Sequence, residues 1–301
     1  MLTPFGIAAR DLRNRRNLRL LDLAERLQKT SAFLSAVETG RKPIPPSLCD
    51  EIANALDLDA SERQQLVAAA DRTRKEVPVS QLSGGNRELI AAFARNVGTD
   101  AYTPDQLEQI RKLIFKMTAN REPFSDRRRG YLVPPRSALS IWDYADTVRS
   151  VFLQPDVIEF PIMHVLEFQM QAFIPGFHLD VRIHAEMDGD EGRVFPGQAK
   201  IELREDVYER ACGGEGRSRF TACHELGHFL MHSNLPLSRM ESSRDFPVFR
   251  DAEWQADSFA GALLVSRRHI DAHEDADDAA SNCGVSAHAA RVMFSKYGRA
   301  A

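Results

Sequence analysis

The sequence predicts an α+β protein: an all-α N-terminal domain of five helices, a helical connector, and a C-terminal α/β domain. Two observations carry this prediction. Apolar residues recur at helical spacing through the first part of the chain, and mixed strand-like and helical patterns begin only after ANREPFSDRRRGYLVPPRS (119–137), which reads as an exposed linker. A length of 301 residues also favours more than one domain. The domains read from these shifts are 1–76, 77–129 and 130–301.

In the N-terminal part, Ile7, Leu12, Leu20, Leu23, Ala24 and Leu27 keep helical spacing, as do Phe33, Leu34 and Val37, then Leu48, Ile52, Ala55 and Leu56. Breaks fall at Asn17, at 28–30, at 40–46 and at 57–61, where SERQQL opens a fifth helix running to about Lys75. The connector holds a short helix near 86–96 and a longer one over TPDQLEQIRKLIFKM (103–117). A helix over 139–152 follows. VIEFPIMHVLEF, FHLDVRIHAEM and AKIELRE carry apolar, β-branched runs that read as strands. GRSRFTACHELGHFLMH is helical after the flexible CGGEG, and AEWQADSFAGALLVS and VSAHAARVMFSKYG are helices on either side of the acidic turn DAHEDADD.

An apolar fraction of 43% and a charged fraction of 27% are those of a soluble globular chain. The longest apolar run, FAGALLV (259–265), is too short to span a membrane, and the N-terminus lacks a secretory core. Four cysteines without a CxxC pair point to a reducing, cytoplasmic setting. The net charge of −4 conceals a basic start: residues 1–42 hold nine Lys and Arg against four Asp and Glu, which suggests an anionic partner at that end.

The residues with the most chemistry lie in TACHELGHFLMH (221–232). On a helix, His224 and His228 project within roughly 40° of one another and about 6 Å apart along the axis, so two imidazoles can converge on one ion. Glu225 lies one step round, able to reach a water without ligating the metal; this is the H-E-x-x-H pattern of zinc hydrolases. A catalytic Zn2+ usually takes a third protein ligand. Glu253 supplies it if a second helix packs back across the first, and Asp257, four residues on, can accept the remaining N–H of a histidine. The competing reading is a histidine-bearing core helix, since Phe220, Leu226, Phe229 and Leu230 make this segment largely apolar. A buried His, His and Glu set would then need partners that a metal supplies at once. His232 lies about 12 Å from His224 along the axis, too far to share its ion, and reads first as a structural histidine, the alternative being one that supports a ligand or faces the substrate. Cys223 points to another face, into the core.

These two helices resemble the ImmA/IrrE family of cytosolic metallopeptidases, whose members show R-F-T-x-A-H-E-L-G-H-x-L-x-H followed by E-x-x-A-[ND]-x-F-A-x-x-L-L. Arg219, Phe220, Thr221, His224, Glu225, Leu226, Gly227, His228 and His232 match the first, and Glu253, Ala256, Asp257, Phe259, Ala260, Leu263 and Leu264 the second. Cys223 replaces an alanine, and Val265–Ser266 replace Met-Pro, neither at a ligand. The resemblance implies a gluzincin-like α/β domain over 130–301 that cleaves a partner transcriptional repressor. Zn2+ activates water for attack on a peptide carbonyl, and Glu225 would take the proton and hand it to the leaving amine. AKIELRE reads either as an edge strand that a substrate extends or as a core strand.

LRLLDLAERLQKTSAFLSAVETGRKPIPPSLCDEIANALDLD (18–59) resembles the Xre/Cro/CI helix-turn-helix family through Leu23, Ala24, Leu27, Leu34, Ser35, Glu38 and Gly40, with Pro46, Ile52 and Leu56 beyond. That resemblance places Thr30, Ser31 and Ala32 near the bases of a major groove and Arg41 and Lys42 near phosphates. Arg19 and Leu20 stand where Thr-Gln is common, and Gln28 where a turn glycine is usual. Short side chains at 30–32 have little reach for base contacts, so recognition of a partner protein is the alternative to double-stranded DNA. The resulting expectation is a cytoplasmic Zn2+ endopeptidase acting on a helix-turn-helix repressor, with a homodimer as one arrangement open to it. Its rival is a DNA-binding regulator that senses metal or ligand without proteolysis.

Overall fold

In a computed structural model, residues 2–73, 124–125, 131–195, 197–232, 238–239 and 247–298 are described. The chain divides into two compact units, Met1–Thr73 with Glu122–Ala301, and Arg74–Arg121. The connector helices near 86–96 and over 103–117, and the expected boundaries at 76 and 129, lie outside the described residues.

The N-terminal part is the five-helix domain that the sequence predicts: α1 (Pro4–Arg15), α2 (Leu20–Leu27), α3 (Ser31–Glu38), α4 (Leu48–Ala55) and α5 (Ala60–Thr73). Each break has a local cause. Thr3 caps α1 and Thr30 caps α3 through their hydroxyls. Asp59 and Glu62 form a reciprocal capping box at α5. Asn17, Gln28 and Asp57 end α1, α2 and α4 near φ +50°. Gln28 thus adopts the left-handed conformation that a glycine would take at less cost.

The C-terminal part holds two strand groups. In the larger, the order is β1 (Phe124–Ser125), β4 (Gly192–Val194), β5 (Lys200–Arg204), β3 (His178–Arg182), with β3 parallel to β5 and the other pairs antiparallel. β2 (Tyr131–Leu132) pairs with β6 (Ser238–Arg239). Of the two readings of AKIELRE the core strand holds and the edge strand is corrected: β5 lies between β4 and β3, so its own backbone is not open to an added chain. The strand expected in VIEFPIMHVLEF is also replaced. Residues 162–173 form an irregular helix with a π-turn at Val165–Gln169, beginning after Pro161. Ile162, Met163, Val165, Leu166 and Met170 are buried at helical spacing, which overrides their strand-forming preference.

Six further helices are described: α6 (Ala138–Phe152), α7 (Glu205–Cys212), α8 (Gly216–His232), α9 (Ala252–Leu264), α10 (Ala276–Cys283) and α11 (Ala287–Lys296). α10 replaces the expected loop at the acidic turn, because Asp275 accepts from the backbone N–H groups of Asp277 and Asp278 and so starts a helix.

The two parts share one apolar core rather than two. Their seam is polar and mostly buried. Ser35 Oγ donates to Asp180 Oδ1 at 2.7 Å and accepts from Val181 N at 2.9 Å, which seats α3 on β3. Arg10 pairs with Glu38 at 3.0 Å and donates to the Leu179 carbonyl at 3.2 Å. Glu167 accepts from Leu20 N (2.9 Å) and from the Tyr208 hydroxyl (2.8 Å), and lies 3.4 Å from Arg13.

Candidate metal centre

α8 and α9 cross with little between them. A Cβ on Gly227 would lie 3.0 Å from Phe259 Cδ1 and 3.4 Å from Ala256 Cα, so the glycine inside HELGH lets α9 approach closely. Asp251 caps α9 by accepting from Glu253 N at 3.0 Å, which directs the first turn, and Glu253 with it, toward α8.

The outcome is convergence. Ligand atoms of His224, His228 and Glu253 all lie within 4.8 Å of one another, and all three residues are buried. His224 Nε2 is 3.3 Å from Glu253 Oε2, His228 Nε2 is 3.3 Å from Glu253 Oε1, and the two Nε2 atoms are 2.9 Å apart. On the far side of its ring, His224 Nδ1 lies 2.9 Å from Asp257 Oδ1, as the spacing of Glu253 and Asp257 anticipated. The site is also electrostatically coherent. Although burial opposes its charge, Glu253 is held down to about 2 by the two imidazoles. Burial likewise opposes charge on His224, but Asp257 and Glu253 raise its pKa well above the ordinary histidine value. Burial pushes His228 down, and the neighbouring His224 pushes the same way.

A divalent cation fits this donor set. Glu253 Oε1 is a buried oxygen without a hydrogen-bond partner among the described residues, and two imidazole nitrogens face it at the spacing of a shared ion.

Glu225 is 1% exposed and meets β4, where a Cβ on Gly192 would come within 2.5 Å of its Cγ and 2.9 Å of its Oε1. Gly192 therefore leaves the room in which this carboxylate stands; no motif in EGRVF announced it. Beside His224 and Asp257 opens a cavity of about 570 Å³, walled by apolar Phe220, Val292 and Met293 with Glu191, Arg217 and Lys296 among them. His232 is fully buried and Cys223 lies in the core, as expected; burial pushes the Cys223 thiol up to about 12. Gln255, which the sequence reading passed over, lies within hydrogen-bonding distance of His232.

The residues expected to meet DNA are placed differently. Thr30 and Lys42 are exposed, but Ser31 and Ala32 are 0% and 2% exposed in the seam. Glu205 accepts from Ala32 N at 2.7 Å, and Arg41 is held by Asp180 (2.7 Å) and Glu186 (2.9 Å). In this arrangement Ser31 and Ala32 in the first turn of α3, and Arg41 beyond its end, face carboxylates of the C-terminal part.

The fold and site define a class: a helical domain followed by a metallopeptidase-like α/β domain. Comparison with protein families agrees on both counts. Residues 179–295 match the IrrE N-terminal-like domain, a peptidase family, and residues 4–66 match a helix-turn-helix domain. Comparison with curated proteins found no match. The chain thus joins a helix-turn-helix domain to an IrrE-like domain, a combination that fits a regulator. No helix among the described residues is long and apolar enough to cross a membrane.

Proposed function

We propose that this chain is a cytoplasmic Zn2+-dependent endopeptidase that cleaves a partner repressor and so changes transcription, its N-terminal domain serving DNA or partner binding. The observation that carries the reading is the meeting of His224, His228 and Glu253, with Glu225 on the same helix. These three residues would hold the ion, and Asp257 would orient His224. A bound Zn2+ supplies Lewis acidity, polarising a peptide carbonyl and making water a better nucleophile near neutral pH. Glu225, buried and confined by β4, takes the proton of the attacking water and returns it to the leaving amine. The cavity beside His224 admits a substrate side chain, and its walls favour an apolar one.

The test is Glu225→Gln. The variant should retain Zn2+ and lose cleavage of a candidate repressor by about 100-fold or more. Undiminished cleavage sinks the mechanism. A second reading, a DNA-binding regulator whose IrrE-like domain senses metal without cutting, draws support from the helix-turn-helix match and from the seam that couples α3 to β3. It requires operator binding that survives Glu225→Gln but responds to Zn2+ removal.

A further inference from the structure

Behind His228 runs a chain of buried hydrogen bonds whose direction is set by two backbone carbonyls. Gln255 on α9 is fully buried. Its Nε2 donates to Pro134 O at 2.9 Å and to Phe249 O at 2.8 Å. Carbonyl oxygens only accept, so this end of the amide must be the NH2 group, and Oε1 must face the other way. Oε1 lies 3.2 Å from His232 Nε2, and because it too only accepts, His232 carries its proton on Nε2. The other ring nitrogen of buried His232, Nδ1, faces His228. That atom lies 3.0 Å from His228 Nδ1. One nitrogen of that pair must accept, and a His228 that offers Nε2 to an ion keeps its proton on Nδ1, so His232 Nδ1 is the acceptor and His228 Nε2 faces His224 and Glu253.

We propose that Gln255 and His232 are positioning residues that impose the metal-ligating tautomer on His228, with the proton placement dictated by the carbonyls of Pro134 and Phe249. This rests on the metal-centre reading above and deepens it. The two histidines are then oriented by unlike devices. Asp257, more than half exposed, orients His224 as a carboxylate. A relay of ring and amide orients His228 without adding charge beside Glu253. The relay also ties the ligand to the segments after β2 and before α9, which are joined to one another by Val133 N to Arg250 O (3.0 Å) and Arg136 N to Phe249 O (3.1 Å).

The experiment is ring-nitrogen NMR on the metal-free protein, together with Zn2+ affinity by chelator competition. In the wild type, His228 should show its proton on Nδ1. His232→Leu and Gln255→Leu should abolish that preference and weaken Zn2+ binding by about 10–100-fold. His232→Asn, whose Oδ1 can replace the lost acceptor, should restore affinity to within a few fold. A wild-type His228 protonated on Nε2, or leucine variants with unchanged affinity, would overturn the proposal. The wild-type spectrum needs no variant, so the test stands even where a leucine variant does not fold. A wild type that binds no Zn2+ while His228 holds its Nδ1 proton sinks the metal-centre reading and leaves the relay intact.

Discussion

At the start of β3, His178 is 5% exposed and lies with Nδ1 3.1 Å from the Gly176 carbonyl. Burial lowers its pKa from 6.5 to about 4, against the pull of that carbonyl, so the folded ring is neutral where an unfolded one would charge. Between those values the unfolded chain binds more protons, and acidification favours it. The melting midpoint of the metal-free protein should therefore fall as pH drops from 6.5 toward 4, and His178→Gln should flatten part of that slope. Glu202 separates cleanly. Burial opposes its charge, but Lys200 and Arg182 hold it down to about 2, so its contribution is complete above 4.5 and fades only below that. Equal slopes in wild type and His178→Gln would rule the assignment out. At this same scale the candidate ligands were legible in the sequence as two pairs, His224 with His228 and Glu253 with Asp257, each four residues apart on one helix, while only packing of the two helices brings the pairs together. Gln255 was not: an amide has no characteristic spacing, and its role exists only through carbonyls 121 and 6 residues away.

Elements meet at the site through two glycines, one on the helix and one on the strand. Gly227 narrows the gap between α8 and α9, while Gly192 on β4 clears the volume taken by Glu225. Gly192→Ala places a methyl group 2.5 Å from Glu225 Cγ, so either the strand or the carboxylate must move. Overpacking of this kind costs about 1–3 kcal/mol, and a displacement near 1 Å at a reacting group costs about 100-fold in rate. The variant should fold with a lowered melting midpoint, keep Zn2+, and lose proteolysis by about that factor; wild-type activity would show that Glu225 is not confined by β4. Helices with caps and periodic apolar faces were legible one by one, as α1 to α5 illustrate. The segment at 162–173 misled because β-branched composition is a weaker determinant than the burial pattern its neighbours impose.

For the molecule as a whole, the seam between the helix-turn-helix domain and the IrrE-like domain governs what the N-terminal part can touch. Glu205 and Glu209 meet the first turn of α3, through Ala32 N at 2.7 Å and Ser31 Oγ at 3.4 Å. If α3 reads DNA, these carboxylates compete with phosphate, and Glu205→Gln with Glu209→Gln should tighten binding to duplex DNA at low salt, measured by fluorescence anisotropy. Unchanged affinity would show that any DNA contact uses another surface. The sequence by itself determined the five N-terminal helices, α6, α8, α9 and α11, the α+β class and the chemistry of the candidate site, since these follow from periodicity and from residues spaced on single helices. Tertiary structure alone decided that β5 is interior, that α3 faces protein, and that Gly192 and Gln255 serve the site. Those facts depend on which surfaces meet across long stretches of chain, where local propensity carries no information and burial of the shared core sets the outcome.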